Sequence, residues 1–491
     1  MDWREEYRSK LTTAEEAVKV VKSGDLLAVG GSTDQPRVLQ QALFARRDEL
    51  KDIKIFHICP MIDPGWFKPG FEKLFDIDIH GFVGPFARPA VTDRRAGFIP
   101  NSWYTSFKAD QRSAGKMKDF DIFMVIVSPP NRHGYCSLGA YLWLKNSYAK
   151  RSRIILAEVD QSQRWFYGDT TIHVSQVHAF VEHTDPLTSD EGFLKHIEGV
   201  AHGERYDKLR EYGLAITPHQ RPALVPVLMQ QSPEAMESFA ETVGLTAPPE
   251  AKAIAELLNT VIKDGDTFQI GQGSPSVYLV RLGAFAGKQD LGYHGEMTSR
   301  GVGWMIRDRQ ITGKYKTLFQ GKAIFSALNG LSSEEVDWAS ENPKVEIYDT
   351  TYVTDPRTIA ANDNMVAINN GLTIDLTGQI NSESIFGAIP INGPGGQPES
   401  HLGAIVSKGG RAVTVMRSTA LKGTVSCIVP QMDAGALVII PRCYADIVIT
   451  EFGIARLMGK SLRERADELI AIAHPNFRAE LRKEAKKLLW P

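Results

Sequence analysis

Two stretches decide the fold: Val20-Val21-Lys22-Ser23-Gly24-Asp25-Leu26-Leu27-Ala28-Val29-Gly30 and Val261-Ile262-Lys263-Asp264-Gly265-Asp266-Thr267-Phe268-Gln269-Ile270-Gly271. They align at an offset of 241, and seven of the eleven positions are identical or near-identical. Each reads as the end of an amphipathic helix, a Gly-Asp turn, a short buried strand and a glycine loop. Upstream of the first copy, Ala14, Ala17, Val18 and Val21 share one helical face. Thr13 and Glu16 form a capping box that starts this helix, and Gly24 is its stop. Two related α/β halves follow, each with a glycine loop at the carboxyl end of its first strand, where open α/β sheets bind ligands.

Outward from these stretches, residues 37 to 50 carry a helical pattern, and 53–58, 78–84, 119–127 and 152–158 read as strands. In the second half the strand candidates are 267–270, 316–319, 345–348, 365–368, 412–416 and 436–440. Continuous apolar strands separated by helices predict mostly parallel sheets covered on both faces. Residues 205–250 are rich in Pro, Gln, Glu and Ala, with Pro218, Pro222, Pro226, Pro233 and Pro248-Pro249. The interdomain connection is placed there, giving two open α/β domains over 1–220 and 221–491. Late helices are expected from Ser461, where Glu464 completes a capping box, and after His474-Pro475.

The chain has 491 residues with 56 Lys+Arg against 58 Asp+Glu, a net charge of −2, 23% charged and 43% hydrophobic. This excludes intrinsic disorder and a disulfide-stapled miniprotein. The balance gives no electrostatic argument for nucleic acid or an acidic membrane surface. Cys59, Cys136, Cys427 and Cys443 are far apart, which suits free thiols in a reducing cytoplasm. The N-terminus MDWREEYRSK is charged, and no apolar run approaches the roughly 18 residues of a membrane span. A soluble cytoplasmic protein is expected.

Three loops could carry chemistry. Gly271-Gln272-Gly273-Ser274-Pro275 follows a strand and precedes a helical stretch, so its N–H groups could meet an anion. It lacks the Gly-Lys-Ser/Thr of a P-loop, and Ser276 replaces the third glycine of a dinucleotide fingerprint. A tight strand–helix turn accounts for it equally. Next is Tyr293-His294-Gly295-Glu296-Met297-Thr298, where Glu296 by pattern alone is an ordinary loop glutamate. His294 and Glu296 have no third partner at ligand spacing, so no metal site is expected. The third is Asn392-Gly393-Pro394-Gly395-Gly396-Gln397, followed by Lys408-Gly409-Gly410. Its glycines permit close approach of a ligand, and a surface hairpin is the alternative.

The order of motifs resembles the acetyl-CoA hydrolase/transferase family, the class I CoA-transferases that include 4-hydroxybutyrate and succinyl-CoA:acetate CoA-transferases. The matching segments are SGDLLAVGG at 23, VSPPNRHGYCSLG at 127, GDTTIHVS at 168, GQGSP at 271, HGEM at 294, YVTDP at 352 and INNGLTIDLTGQ at 368. They continue with GPGGQ at 393, SKGG at 407, STALKG at 418, IVP at 428, TEFGIARL at 450, GKSLRERA at 459 and IAHPNFR at 472. Together they span essentially the whole chain.

The resemblance implies that Glu296 is the catalytic nucleophile, that Asn369 stands near it, and that the active site lies in an interdomain cleft. It implies CoA contacts for Gly271, Gln272, Gly273, Ser274, Pro275, Leu372, Gly395, Gly396 and Lys408. Coenzyme A or acyl-CoA would be a substrate and not a tightly bound cofactor, the partner a small carboxylic acid, and the assembly a homodimer. Relatives often read Gly-Gly-Gln-x-Asp-Phe and then Arg-Gly-Ala, and often have Arg where Cys427 stands. Here the positions are Glu399, Ser400 and Leu402-Gly403-Ala404. The expected acceptor is therefore a monocarboxylate, larger or aromatic, and not a small dicarboxylate. Two other readings remain open at this point: an acyl-CoA hydrolase using the same glutamate, and a non-enzymatic sensor of acyl-CoA or a sugar phosphate. His133, His173 and His474 read as structural, the segment Arg478 to Lys487 as a solvated helix face, and Cys59 as a buried thiol.

Overall fold

The computed structural model describes residues 2–84, 87–106, 120–229, 232, 236–237, 240–241, 244–328, 330–385 and 389–490. Pro233 of the connecting stretch and position 119 of one strand candidate lie outside these. The chain divides into two compact units, each discontinuous in sequence. Unit 1 takes Met1–Asn101, Thr105–Phe239 and Ser332–Thr351. Unit 2 takes Ser102–Tyr104, Ala240–Leu331 and Tyr352–Pro491.

Unit 1 is built on β1 (Leu26–Val29), β2 (Ile53–Ile58), β3 (Phe75–His80), β4 (Gly97–Ile99), β5 (Phe120–Val127), β6 (Ser152–Val159) and β7 (Ala179–Glu182). Their order in the sheet is β7-β6-β5-β1-β2-β3-β4, and every neighbouring pair is parallel. Both faces are covered, so β5, Phe-Asp-Ile-Phe-Met-Val-Ile-Val, is buried at all but Asp121. Leu27 of β1 sits in register with Ile55 on one side and Ile122 on the other. Glycine is required after β1, because a Cβ on Gly31 would stand 2.0 Å from the Ile58 carbonyl oxygen.

Unit 2 has a six-stranded sheet of β8 (Thr267–Ile270), β9 (Gly292–Tyr293), β10 (Met365–Asn370), β11 (Arg411–Val415), β12 (Ile447–Thr450) and β13 (Gly453–Arg456). The order is β9-β8-β10-β11-β12-β13, parallel except for the last pair. The internal repeat is reproduced atom for atom at its turn. The Lys22 N–H donates to Asp25 Oδ2 at 2.8 Å, and the Lys263 N–H donates to Asp266 Oδ2 at 2.7 Å. Gly24 and Gly265 both take positive φ, 86° and 76°.

Several elements differ from the sequence expectation. A helix not anticipated, α1 (Trp3–Lys10), buries no residue and carries charge all round, so it lacks an apolar stripe. The helix from Thr13 is short, Ala14–Ala17 followed by a tighter turn Val18–Val20, with Thr13 accepting the Glu16 N–H. The pattern over 37–50 forms α2 (Arg37–Ala45) and then turns. Strand β3 starts earlier than 78–84. Residues 316–319 are not a strand: Lys316 turns inward and donates to the Tyr293 carbonyl at 2.8 Å, and the strand follows at Ala323–Phe325. Residues 436–440 are irregular apart from a single bridge between Ile440 and Ile380. The remaining helices used below are α3 (Glu250–Val261), α4 (Gln397–Val406), α5 (Leu462–Ala471) and α6 (Pro475–Leu489). Ser461 and Glu464 form the reciprocal capping box at α5. No helix among the described residues is long and apolar enough to cross a membrane, and none of the four cysteines is in a disulfide.

Candidate active site

The carboxyl ends of β8 and β10 carry most of the singled-out residues of unit 2. The loop 271–275 leaves β8 with the Gly271 N–H on the Ile368 carbonyl at 2.7 Å. Asn370, at the end of β10, ties this loop down. Its Oδ1 accepts the Ser276 N–H at 3.0 Å, and its Nδ2 donates to the Gln272 carbonyl at 2.7 Å. Asn369 points the other way and pairs amide to amide with Gln269 of β8, at 3.0 and 3.3 Å. Gln269 in turn lies under Gly295, where a Cβ would come within 2.9 Å of the Gln269 Cβ. Asn369 therefore meets the Glu296 segment through Gln269, and no direct bond from Asn369 to the Glu296 carboxylate is present among the described residues.

The backbone around Glu296 is pinned on both sides. The His294 and Gly295 N–H groups donate to the Phe268 and Ile324 carbonyls, each at 3.1 Å. The Glu296 carbonyl accepts from Ser326 at 2.9 Å and Ala327 at 2.8 Å. His294 is buried, contacts the Val353 carbonyl through Nε2 at 2.9 Å, and has a pKa pushed down to about 3 by that burial. It is a neutral structural group. Among the described residues no cluster of three His, Cys, Asp or Glu could hold a metal.

The Glu296 carboxylate points at the start of α4. Gly396 is the N-cap of that helix, and no side chain caps it. A Cβ at Gly396 would fall 2.8 Å from Glu296 Oε2, so only glycine admits this approach. The Gly396 amide and the Trp103 indole favour the charged form of Glu296, whereas burial and the neighbouring Glu399 oppose it. Burial dominates and lifts the Glu296 pKa to about 8. Its Oε1 is buried and makes no hydrogen bond among the described residues. Glu399, in the first turn of α4, accepts the Ser102 hydroxyl, and burial lifts its pKa to about 7. After burial, the Glu399 charge is a second influence that raises the Glu296 pKa.

Ser102 and Trp103 carry no motif and lie far from Glu296 in sequence. Their adjacency is what the fold supplies: one neighbour holds Glu399, the next faces Glu296, and the Trp103 N–H donates to the Gly395 carbonyl at 3.0 Å. Gln397 completes the ring by donating to the Asn370 carbonyl at 3.0 Å. Leu372 follows β10 and bonds the Asn381 carbonyl at 2.8 Å. Lys408 is elsewhere. Its carbonyl accepts the Asn364 N–H at 2.8 Å just before β10 begins, so it belongs to the amino-terminal edge of the sheet, opposite Glu296. Its side chain is 88% exposed.

Parallel α/β sheets with a pinned glutamate against a glycine-started helix, together with the relatives below, define an enzyme of the CoA-transferase class. The chain belongs to the acetyl-CoA hydrolase/transferase family: residues 1–189 match the model of its N-terminal domain and 332–485 that of its C-terminal domain. Glu296 lies between the two matched stretches. The chain is 35% identical to 4-hydroxybutyrate coenzyme A transferase of Clostridium kluyveri over 99% of this chain and 100% of that one. It is 30% identical to succinyl-CoA:cyclohexane-1-carboxylate CoA transferase of Geobacter metallireducens, covering 99% and 97%. The crystal structure of RipA from Yersinia pestis superposes with a TM-score of 0.79 at 29% identity over the full length of both chains.

Proposed function

We propose that the chain is an acyl-CoA:carboxylate CoA-transferase in which Glu296 is the nucleophile. The observation that carries this is the Glu296 carboxylate set against the uncapped N-terminus of α4, with one oxygen buried and unbonded. The carboxylate attacks the acyl-CoA carbonyl, expels CoA thiolate and forms an acyl–glutamyl anhydride. The thiolate then attacks the glutamyl carbonyl, releasing the carboxylate and leaving a glutamyl-CoA thioester. An incoming acid reverses the two steps and leaves as a new acyl-CoA.

The environment suits a residue that is acylated and deacylated. Desolvation penalises the charged carboxylate and leaves the neutral anhydride and thioester untouched, so it narrows the gap between enzyme and intermediate. Each tetrahedral step creates an oxyanion, and the first-turn N–H groups of a helix with no side-chain cap are donors for it. The glycine loop 271–275 supplies further backbone donors for CoA. A role for Lys408 requires the phosphate end of CoA to reach the opposite edge of the sheet.

We read the acceptor as a monocarboxylate. Cys427 is a buried neutral thiol whose pKa burial raises to about 11, so it offers no counter-charge to a second carboxylate. The buried Glu399 opposes one. The Geobacter relative bears the name of a cyclic monocarboxylate. Incubation with acyl-CoA should add a CoA-derived mass to the peptide containing Glu296, and borohydride should trap it with loss of activity. Retention of transfer by Glu296→Gln would overturn the mechanism. Succinate outperforming every monocarboxylate would overturn the acceptor reading.

A further inference from the structure

Unit 1 repeats the architecture of unit 2 but holds no glutamate corresponding to Glu296. In its sheet the strand order reverses between β1 and β5, and ligands of open α/β sheets sit outside the carboxyl ends of the strands at such a point. The carboxyl ends of β1 and β6 there lead into a buried polar network. Asp34, after β1, is fully buried, accepts from Lys145 and from Gln163, and lies 2.5 Å from His219 Nε2. Asp160, after β6, faces His219 Nδ1 at 3.0 Å and accepts the Ser162 N–H and hydroxyl at 2.8 and 2.7 Å. So many charged and polar groups brought together under a surface is an expensive arrangement for a scaffold.

Above the network lies a cavity of about 320 Å³, within the size range of small-molecule sites. Tyr141, Pro218 and Val336 give it apolar walls, and its polar lining includes Gln163, Arg164, His219 and Asp337. Asp337 is engaged through Oδ1 by Arg164 Nε at 2.7 Å, and the acceptors of Asp34 and Asp160 are engaged as described. Arg164 spends its Nη1 on the Ser162 carbonyl at 3.3 Å, and its Nη2 has no partner among the described residues. An arginine N–H donor without a partner beside apolar walls suits the carboxylate of an acid with an apolar body.

We propose that unit 1 carries its own ligand pocket, which binds a small carboxylic acid with an apolar body through Arg164. This goes beyond the transfer chemistry assigned to Glu296 and does not depend on it.

The test uses the full-length chain carrying Glu296→Gln, with benzoate and hexanoate as probes and benzylamine as the charge-reversed control. Hydrogen–deuterium exchange is read on peptides covering 160–164 and 217–220, alongside the apparent affinity for each probe. Both acids should protect these peptides, and benzylamine should not. Arg164→Leu, at a side chain 45% exposed, should keep the fold and weaken protection about tenfold or more, the size of one lost charge-assisted hydrogen bond. Val336→Phe should fill the cavity and abolish protection. If Val336→Phe fails to fold, Arg164→Leu decides alone. Absence of protection at 160–164, equal protection by benzylamine, or affinity unchanged by Arg164→Leu would each overturn the proposal.

Discussion

At the scale of single residues, Glu296 and Glu399 form the feature with the sharpest chemical consequence. In the proposed mechanism attack needs the ionised Glu296, and burial lifts its pKa to about 8, so transfer should fall as pH drops through the upper neutral range. Glu399 pushes that pKa up. Glu399→Gln should therefore shift the acidic limb of kcat/KM to lower pH, whereas Glu296→Gln should cost at least about a thousandfold in kcat. A pH–rate profile of wild type and Glu399→Gln checks the first statement, and an unmoved limb contradicts it. Glu296 was legible only through the family motif around it, since a glutamate beside glycine has no distinctive chemistry in sequence. Ser102 and Trp103 were not legible at all. Nothing local marks them, and their pairing with Glu399 and Glu296 exists only after long-range folding.

At the scale of elements, α4 does two things at once. Its uncapped N-terminus receives Glu296, and its first turn carries Glu399. Gly396→Ala would place a methyl 2.8 Å from Glu296 Oε2. A carboxylate displaced by an ångström loses its attack geometry, so kcat should drop about a hundredfold while the melting temperature moves little. By contrast, Ser461→Ala removes the capping box of α5 and should cost about 1 kcal/mol of stability with kcat unchanged. Denaturant melts and steady-state rates on both variants separate the two effects. Buried parallel strands were the most legible elements, because continuous apolar runs such as Phe120–Val127 have one explanation. Residues 316–319 and 436–440 show the limit: short apolar runs also arise where a loop packs inward, and only tertiary contacts decide.

At the scale of the whole molecule, buried titratable groups set opposing pH dependences. Glu158, Glu296, Glu383 and Glu399 have pKa values raised to about 7 to 8 from 4.5, all led by burial. The folded state holds their protons more tightly, so their contribution is fully present below about 4.5 and is lost as pH rises towards 8. His57, His80, His294 and His401 have pKa values lowered to about 3 to 4 from 6.5, again by burial. Their contribution is present above 6.5 and lost as pH falls towards 4. The melting temperature should therefore peak in mildly acidic solution and decline towards pH 8.5, with a shallower decline in Glu296→Gln. A melting temperature that is flat or rising from pH 6 to 8.5 contradicts this. The two-half organisation behind these units was readable from the repeat alone, because Gly24 and Gly265 demand the same turn. The exchange of short segments between units was not, since neither segment differs in composition from its surroundings.

That exchange bears on how the chain folds as it is made. Unit 1 is not complete at Phe239: Val345–Ile347 pairs with Tyr167–Gly168, and Asp349 accepts the Ser147 N–H and hydroxyl at 3.0 and 2.7 Å. A ribosome must add the 112 residues from 240 to 351 before the unit can close, given the bounds of its last segment. At about 5–20 residues per second this takes roughly 5 to 20 s. For that interval the nascent first half waits with an unfilled seam.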